Sequence, residues 1–143
     1  METTTARIIL GKIEEAPGKD YVEIPESERT PRLLLDQKEG IIKVEGRSLP
    51  ENSNTFYNPI LEWIDKYIAN PKEETKIVFD LEYYNSSSSK MLLQLFKKLS
   101  ELKKKGKNVL VDWYYLEGDE DMLESGKTFE ELSELSFDYI CYV

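Results

Sequence analysis

Residues 77–96, IVFDLEYYNSSSSKMLLQLF, join an apolar run to a helical pattern through four consecutive serines. The nearly continuous apolar run Ile77–Leu81 predicts a strand that is buried on both faces. From Met91 onward, apolar residues recur with the period of an amphipathic helix. The sequence therefore predicts a strand followed by hydroxyl groups just where a helix begins, above backbone N–H groups that have no partner within the helix.

The segments before this stretch alternate between strand and helix patterns. Leu33–Leu35 and Ile41–Glu45 flank a turn that contains glycine, which predicts a β-hairpin. A helix follows and ends at Asn70-Pro71. The apolar residues of this helix fall on one face: Phe56, Ile60, Trp63, Ile64, Tyr67 and Ile68.

Two further units follow the serine run. The helix after the serines ends at Gly106, and Val109–Tyr115 predicts a third core strand. Another helix begins at Asp119–Asp121, and Phe137–Val143 is either a final strand or an apolar tail packed on the core. The residues predicted to face inward from the helix after the serines are Met91, Leu92, Leu95, Phe96, Leu99 and Leu102, and the last helix continues through Leu123, Phe129 and Leu132.

This order of elements predicts an α/β domain with a mixed, mainly parallel sheet and an antiparallel hairpin at its start. Residues 30–143 form the predicted domain, and residues 1–29 form an N-terminal extension with candidate edge strands at Arg7–Leu10 and Tyr21–Ile24. Sites in open sheets gather at the carboxyl ends of the strands. The loops that meet this description are Gly46–Asn54 and Asn85–Ser89, with Leu116–Asp121 as a candidate far wall.

Composition weighs against several classes of function. The net charge of −9 argues against nucleic acid as a partner. The lysines of residues 97–107 are better explained as solvated side chains on an outer helix face, close to a helix C-terminus that favours positive charge. No apolar stretch approaches the roughly 20 residues that cross a bilayer, so we expect no membrane insertion. Residues 1–7 lack a basic segment followed by an apolar one, so we also expect no secretion signal. The lone Cys141 allows no internal disulfide and fits a reducing, cytoplasmic location.

The chain contains no histidine, which removes catalytic triads, histidine bases and the commonest zinc ligands. The acidic run Asp119–Asp121, with Glu117 and Glu124, offers oxygen ligands for magnesium. The run matches no coordination loop and is better explained as the first turn of a helix, where the dipole favours acids. We therefore expect no metal, no cofactor and no catalytic residue.

The four serines allow two interpretations, between which the sequence is evenly balanced. Helix capping explains one or two of them, and a run of four exceeds what a cap needs because serine has poor helix propensity. An enzymatic alternative pairs Ser87 with Lys90 in the S-x-x-K spacing of serine acyl-transfer enzymes. That alternative is disfavoured because the chain lacks the accompanying S-D-N and K-T-G motifs.

Several motifs, in order along the chain, resemble the SiaC family of bacterial regulatory phosphoproteins. They are Thr30-Pro31, Gly46–Asn52, Phe56–Trp63, Leu81–Lys90 and Gly106–Glu117. The resemblance spans about Thr30 to Asp138 and implies a fold similar to STAS domains, the anti-sigma-factor antagonists, in which a phosphoacceptor lies at the start of the helix after a buried strand. The family's acceptor, the residue directly after the asparagine, falls on Ser86, with Ser87 as the less favoured alternative.

The resemblance also implies partners. It implies that a histidine-kinase-like Ser/Thr kinase modifies the acceptor, that a PP2C-type phosphatase reverses the reaction, and that the unmodified form binds and activates a diguanylate cyclase. The implied output is cyclic-di-GMP signalling and biofilm control. In this hypothesis the residues that support the site or contact the partner are Pro50, Glu51, Asn52, Asn85, Ser87, Ser88 and Lys90. A plain interaction scaffold, in which the serines only cap the helix, is the remaining alternative.

Overall fold

The computed structural model describes residues 13–143, which form a sheet with helices packed on it. The chain passes through a short 3-10 helix, the strands β1 to β6 and the helices α1 to α3. Their bounds are Ile13–Gly18 for the 3-10 helix, Tyr21–Ile24 for β1, Arg32–Asp36 for β2, Ile41–Ser48 for β3, Ser53–Ala69 for α1, Glu74–Tyr84 for β4, Ser86–Lys104 for α2, Asn108–Leu116 for β5, Glu120–Ser133 for α3 and Phe137–Tyr142 for β6. None of the helices in this part of the chain combines the length and apolarity needed to span a membrane.

The strands form one sheet in the order β1-β2-β3-β4-β5-β6. Strands β1, β2 and β3 pair antiparallel, whereas β3, β4, β5 and β6 pair parallel. The predicted α/β class, with an antiparallel hairpin before a parallel core, is confirmed. The hairpin turn contains Gly40 at φ +69, where a Cβ would lie 2.7 Å from the Glu74 carbonyl oxygen, so the turn requires glycine.

The segment before the hairpin belongs partly to the sheet. The candidate strand Tyr21–Ile24 is confirmed as β1 and pairs with β2, while the candidate strand Arg7–Leu10 lies outside the described residues. Ala16 of the 3-10 helix is fully buried, and the Lys19 carbonyl accepts a hydrogen bond from Trp63 Nε1 of α1 at 2.8 Å. Residues 13–24 therefore pack on the core, and the boundary between residues 29 and 30 stays a prediction.

The described helices lie together on one face of the sheet. Helix α1 contacts α2, and α2 contacts α3, because successive crossovers of the same hand that advance in one direction share a face. In β4, Ile77, Phe79 and Leu81 face the helices and are at most 2% exposed. Lys76 and Asp80, on the other face, are partly exposed. The prediction that β4 is buried on both faces is wrong, because no helix in residues 13–143 covers the second face.

The core beneath α2 and α3 is built from aromatic rings. The inward residues predicted for α2 are all buried, and the ring of Phe96 lies at its centre. The ring centroid of Phe96 is 4.8 Å from that of Phe79, 5.0 Å from Phe137, 5.4 Å from Phe129 and 6.3 Å from Trp113. We call these five residues the aromatic cluster.

Helix α3 packs closely on the cluster because Gly126 faces Trp113, where a Cβ would lie 2.7 Å from the indole ring. Leu132, which the sequence placed in this helix, is 50% exposed and stays outside the core. The chain after α3 forms strand β6 and not an unpaired tail. The Glu130 carboxylate fixes its first residues, because it accepts hydrogen bonds from the Phe137 N–H at 2.8 Å and the Tyr139 hydroxyl at 2.5 Å.

Candidate functional site

The carboxyl ends of β3 and β4 lie side by side. Ser48 is in register with Tyr84, and the Asn85 N–H donates a hydrogen bond to the Ser48 carbonyl at 3.0 Å. The two loops that the sequence placed at this edge, Gly46–Asn54 and Asn85–Ser89, are therefore neighbours. The predicted loops are shorter in the structure, because Gly46–Ser48 belong to β3, Ser53 and Asn54 begin α1, and Ser86–Ser89 form the first turn of α2. Both first turns therefore lie at the same edge of the sheet.

Three hydroxyl groups, which we call the hydroxyl cluster, connect the two loops inside the protein. Ser48 Oγ lies 2.5 Å from Tyr57 Oη and 2.9 Å from Ser88 Oγ, and the Ser88 hydroxyl donates to the Ser48 carbonyl oxygen at 3.2 Å. All three residues have no solvent exposure. Burial raises the pKa of Tyr57 to about 12, and its hydrogen bonds with Ser48 and Ser88 partly oppose that rise.

Asparagine side chains cap both helices. Asn85 Oδ1 accepts a hydrogen bond from the Ser88 N–H at 2.9 Å, and Asn52 Oδ1 accepts one from the Thr55 N–H at 3.1 Å. Each cap satisfies a backbone donor that has no partner within the helix. The capping interpretation of the serines is therefore wrong for α2, because the capping side chain is that of Asn85.

The four serines have four different environments. Ser88 belongs to the hydroxyl cluster, and Ser89 is half-buried. Ser87 is exposed but engaged, because its Oγ lies 2.7 Å from Ser53 Oγ at the start of α1 and 3.3 Å from the capping oxygen. Ser86 is exposed, and its hydroxyl has no hydrogen-bond partner within residues 13–143. The structure thus separates one available hydroxyl from three that are bonded or partly covered.

The predicted supporting residues differ in burial. Pro50 and Ser88 are buried, and Asn85 is half-buried. Glu51, Asn52 and Lys90 are exposed, and they meet in a cleft of about 350 Å³ between the first turns of α1 and α2. The residues that line this cleft are Glu51, Asn52, Ser53, Asn54, Ser87, Lys90, Met91 and Gln94.

A second cleft, of about 490 Å³, also reaches the capping residue. Its lining residues are Glu28, Arg29, Arg47, Leu49, Pro50, Glu51 and Asn85. The sequence did not single out Arg29 or Arg47, nor the partners Ser48, Ser53 and Tyr57 inside. Arg47 and Ser48 lie within the motif Gly46–Asn52, Ser53 lies within the predicted loop Gly46–Asn54, and Tyr57 lies within the motif Phe56–Trp63. Arg29 directly precedes the motif Thr30-Pro31, which was the signal nearest to it.

Ser87 and Lys90 line one cleft but form no hydrogen bond with each other in the described chain. The Ser87 hydroxyl contacts Ser53 and the capping Asn85 instead. The S-x-x-K spacing therefore does not bring a nucleophile against a base in this conformation.

The acidic run at the start of α3 acts as a helix terminus. Asp119 Oδ1 accepts a hydrogen bond from the Met122 N–H at 3.0 Å, and Glu120 and Asp121 lie in the first turn, where the helix dipole favours negative charge. Within residues 13–143, no three side chains of histidine, cysteine, aspartate or glutamate are placed to hold a metal ion together.

The fold and the edge geometry define a class of protein: a small α/β domain that presents an available hydroxyl where a central strand passes into a helix. The family model described as "SiaC family regulatory phosphoprotein" matches residues 24–142. The chain belongs to the SiaC family, as its motifs predicted.

Solved structures from Pseudomonas aeruginosa confirm the fold. A chain in the crystal structure of the diguanylate cyclase SiaD in complex with its activator SiaC matches with a TM-score of 0.78 and 26% identity, over 84% of this chain and 98% of that chain. The crystal structure of apo-SiaC matches with a TM-score of 0.74 and 25% identity, over 87% of this chain and 100% of that chain. An uncharacterized protein of strain UCBPP-PA14 is 27% identical over 110 residues, which cover 77% of this chain and 87% of that protein.

Proposed function

We propose that this protein is a binding partner controlled by reversible phosphorylation, and that Ser86 is its acceptor. One observation carries the proposal: within the serine run, Ser86 is the residue that is both exposed and without a hydrogen-bond partner in residues 13–143. A kinase reaches this hydroxyl without disturbing the hydroxyl cluster. Ser87 is the weaker candidate, because its modification breaks the contact with Ser53.

Phosphorylation at Ser86 changes the electrostatics of the whole edge. Transfer of the γ-phosphoryl group of ATP to Ser86 Oγ adds about −1.5 to −2 charges at pH 7. Glu51 lines both clefts, and Glu82 is exposed near the end of β4, so the new charge joins existing negative charge. A partner docked on this edge then meets repulsion and a desolvation cost, and each loss of about 1.4 kcal/mol weakens binding tenfold.

The partner in this proposal is a diguanylate cyclase. SiaC of Pseudomonas aeruginosa is the activator of the diguanylate cyclase SiaD in a complex whose structure this chain matches. By this likeness, the unmodified edge around Glu51, Asn52 and Lys90 binds a cyclase, and phosphorylation releases it, with cyclic-di-GMP signalling and biofilm control as the output. A histidine-kinase-like Ser/Thr kinase and a PP2C-type phosphatase complete the proposed system, which operates in the cytoplasm where ATP is available.

Binding to the cognate cyclase tests the proposal. Isothermal titration is carried out with the wild type, Ser86→Ala, Ser86→Asp and, as a charge-matched control, Ser136→Asp in the exposed loop between α3 and β6. We expect Ser86→Ala and Ser136→Asp to bind like the wild type, and Ser86→Asp to bind about tenfold more weakly or worse, a loss of about 1.4 kcal/mol.

Two results contradict the proposal in different ways. Wild-type affinity of Ser86→Asp supports the plain scaffold, in which the edge binds a partner without a switch. Treatment with the cognate kinase followed by mass spectrometry identifies the acceptor directly, and phosphate found on another residue removes Ser86 from the scheme.

We also propose that the chain has no catalytic activity of its own. The geometry that supports this is the engagement of the Ser87 hydroxyl by Ser53 and Asn85. A fluorophosphonate serine probe is expected to leave the protein unlabelled. Labelling of Ser87 that is lost in Lys90→Gln would instead support the acyl-transfer alternative.

A further inference from the structure

Two arginines near the acceptor have no part in the function proposed above. Of the three arginines in residues 13–143, Arg32 forms ion pairs with two carboxylates at 2.8 and 3.0 Å. Arg29 and Arg47 form no ion pair in that part of the chain and are exposed. Both line the cleft that reaches Asn85, the residue directly before Ser86.

Different parts of the chain bring these arginines together, and backbone contacts hold both. The Arg29 carbonyl, in the loop before β2, accepts a hydrogen bond from the Leu49 N–H at 2.7 Å. Arg47 lies in β3 at a register shift that follows Gly46, whose φ of +115 favours glycine. The presence of both arginines along one cleft therefore follows from the folded backbone.

We propose that Arg29 and Arg47, which we call the arginine pair, bind the phosphate group on Ser86 after its modification. This inference rests on Ser86 being the acceptor, as proposed above. Guanidinium groups bind phosphate through paired, charge-assisted hydrogen bonds. Glu28 and Glu51 line the same cleft and balance its charge before modification, but neither forms an ion pair with the arginine pair. The phosphate supplies the acceptor that these carboxylates do not.

The consequence for regulation is twofold. Modification adds negative charge to the docking edge and also engages two cations that are free in the unmodified protein. Lys90 is the competing cation, because it lies four residues after Ser86 on α2 and side chains at that spacing share one face of a helix. The experiment must therefore separate the arginine pair from Lys90.

The second ionisation of the phosphate reports which cations are near it. Phosphoserine is incorporated at position 86 during translation, which needs no kinase, and ³¹P NMR follows its titration. The second pKa of a serine phosphate is ordinarily about 6, and nearby positive charge lowers it. We expect a value below 6 in the wild type, and an increase of about half a unit in Arg47→Gln and in Arg29→Gln. In Arg47→Lys, which keeps the positive charge but loses the planar guanidinium group, we expect a phosphate pKa between those of the wild type and Arg47→Gln.

A matched control removes a cation elsewhere. Lys72 is exposed in the loop before β4, at the opposite end of that strand, and Lys72→Gln is expected to leave the phosphate pKa unchanged. Backbone amide spectra of each variant verify that the fold is intact. If neither arginine variant moves the phosphate pKa, or if Lys90→Gln is the one variant that does, the proposal is wrong.

Titration of the unmodified protein with inorganic phosphate shows whether the cleft binds any phosphate anion or only the phosphate group attached to Ser86. Saturable amide shifts at Arg29 and Arg47 at millimolar phosphate would make the cleft a general anion site and overturn the assignment to phosphorylated Ser86. No such saturation is expected. The ³¹P titration needs no cyclase, so its outcome is separate from that of the binding experiment. If the protein with phosphoserine at position 86 still binds the cyclase, the proposed switch is wrong. The ³¹P titration still decides whether the arginine pair binds the phosphate.

Discussion

The aromatic cluster and the hydroxyl cluster are both buried, yet different forces hold them together. The aromatic cluster packs five rings beneath α2 and α3, and its one polar hydrogen, on Trp113 Nε1, is donated to the Met122 carbonyl at 2.9 Å. The hydroxyl cluster places three polar groups beneath the first turns of α1 and α2, where they bond to one another. Within residues 13–143, no buried side-chain nitrogen or oxygen lacks a partner. The first region stabilises the fold through apolar area, and the second fixes the geometry of the site through directional bonds.

We expect the largest loss of stability for a substitution in the aromatic cluster. Phe96→Ala removes the ring that contacts the other four and leaves a cavity, so the free energy of unfolding should fall by about 3–5 kcal/mol. Urea denaturation followed by tryptophan fluorescence measures this change. Phe96→Leu, which refills part of the space, should lose clearly less. A loss below about 1 kcal/mol for the alanine variant would mean that the cluster is not the main source of stability.

The hydroxyl cluster should respond less strongly and in a way that depends on pairing. Ser48→Ala deprives Tyr57 and Ser88 of a buried partner, which should cost about 1–3 kcal/mol. Tyr57→Phe combined with Ser48→Ala removes two polar groups together, and the double variant should lose less than the sum of the two single variants. Strict additivity in urea denaturation would show that the Ser48–Tyr57 contact contributes nothing of its own.

Much of the fold was predictable because its signals are local. Apolar periodicity placed the helices and the parallel strands, and the inward residues of α2 were identified correctly from their spacing alone. The open face of the sheet was not predictable from β4. Val78 lies on that face but is only 8% exposed, so the run Ile77–Leu81 has the composition of a strand covered on both sides. Which face stays open depends on the direction of all the crossovers together, which no single segment encodes.

The candidate site was predictable to the extent that it lies within one stretch of sequence. The junction at Asn85 marked the start of α2, and the resemblance pointed to Ser86, which the structure shows exposed. The hydroxyl cluster was not predictable, because Ser48 lies nine residues from Tyr57 and 40 from Ser88, and polar pairs at such separations carry no periodic signal. The position of Arg29 was not predictable for the same reason, because this residue comes to the edge from a loop before β2, far from Asn85 in the sequence.

Alkaline pH should lower the free energy of unfolding through the hydroxyl cluster and not through the aromatic cluster, by a smaller amount than the substitutions above. The pKa of Tyr57 is raised to about 12 in the folded protein, whereas an unfolded tyrosine titrates near 10. The unfolded state therefore releases this proton first, so the stability contribution is complete below pH 10 and is lost as pH rises from about 10 to about 12. At pH 11 the loss from this group is about 1.4 kcal/mol.

Tyr57→Phe isolates this contribution, since it removes this hydroxyl and leaves every other side chain of the protein in place. Urea denaturation at pH 8 and pH 11 should show that the wild type loses more stability than Tyr57→Phe over this interval. Equal losses would place the Tyr57 hydroxyl in contact with solvent, against the burial seen here. The aromatic cluster has no ionisable side chain, so Phe96→Leu should follow the pH dependence of the wild type.

We expect the smallest change in stability for the two helix caps, which are both asparagines but lie at different distances from Ser86 in the sequence. Asn85→Ala and Asn52→Ala each remove an oxygen that accepts one helix N–H, and each should lower the free energy of unfolding by about 1 kcal/mol. Their effects on phosphorylation should differ, because Asn85 directly precedes the acceptor and its side chain also holds Ser87. With the cognate kinase, we expect Asn85→Ala to slow the modification of Ser86 and Asn52→Ala to leave the rate near that of the wild type. Equal slowing in both variants would mean that general loosening of the edge, and not the placement of Ser86 by its own cap, limits the reaction.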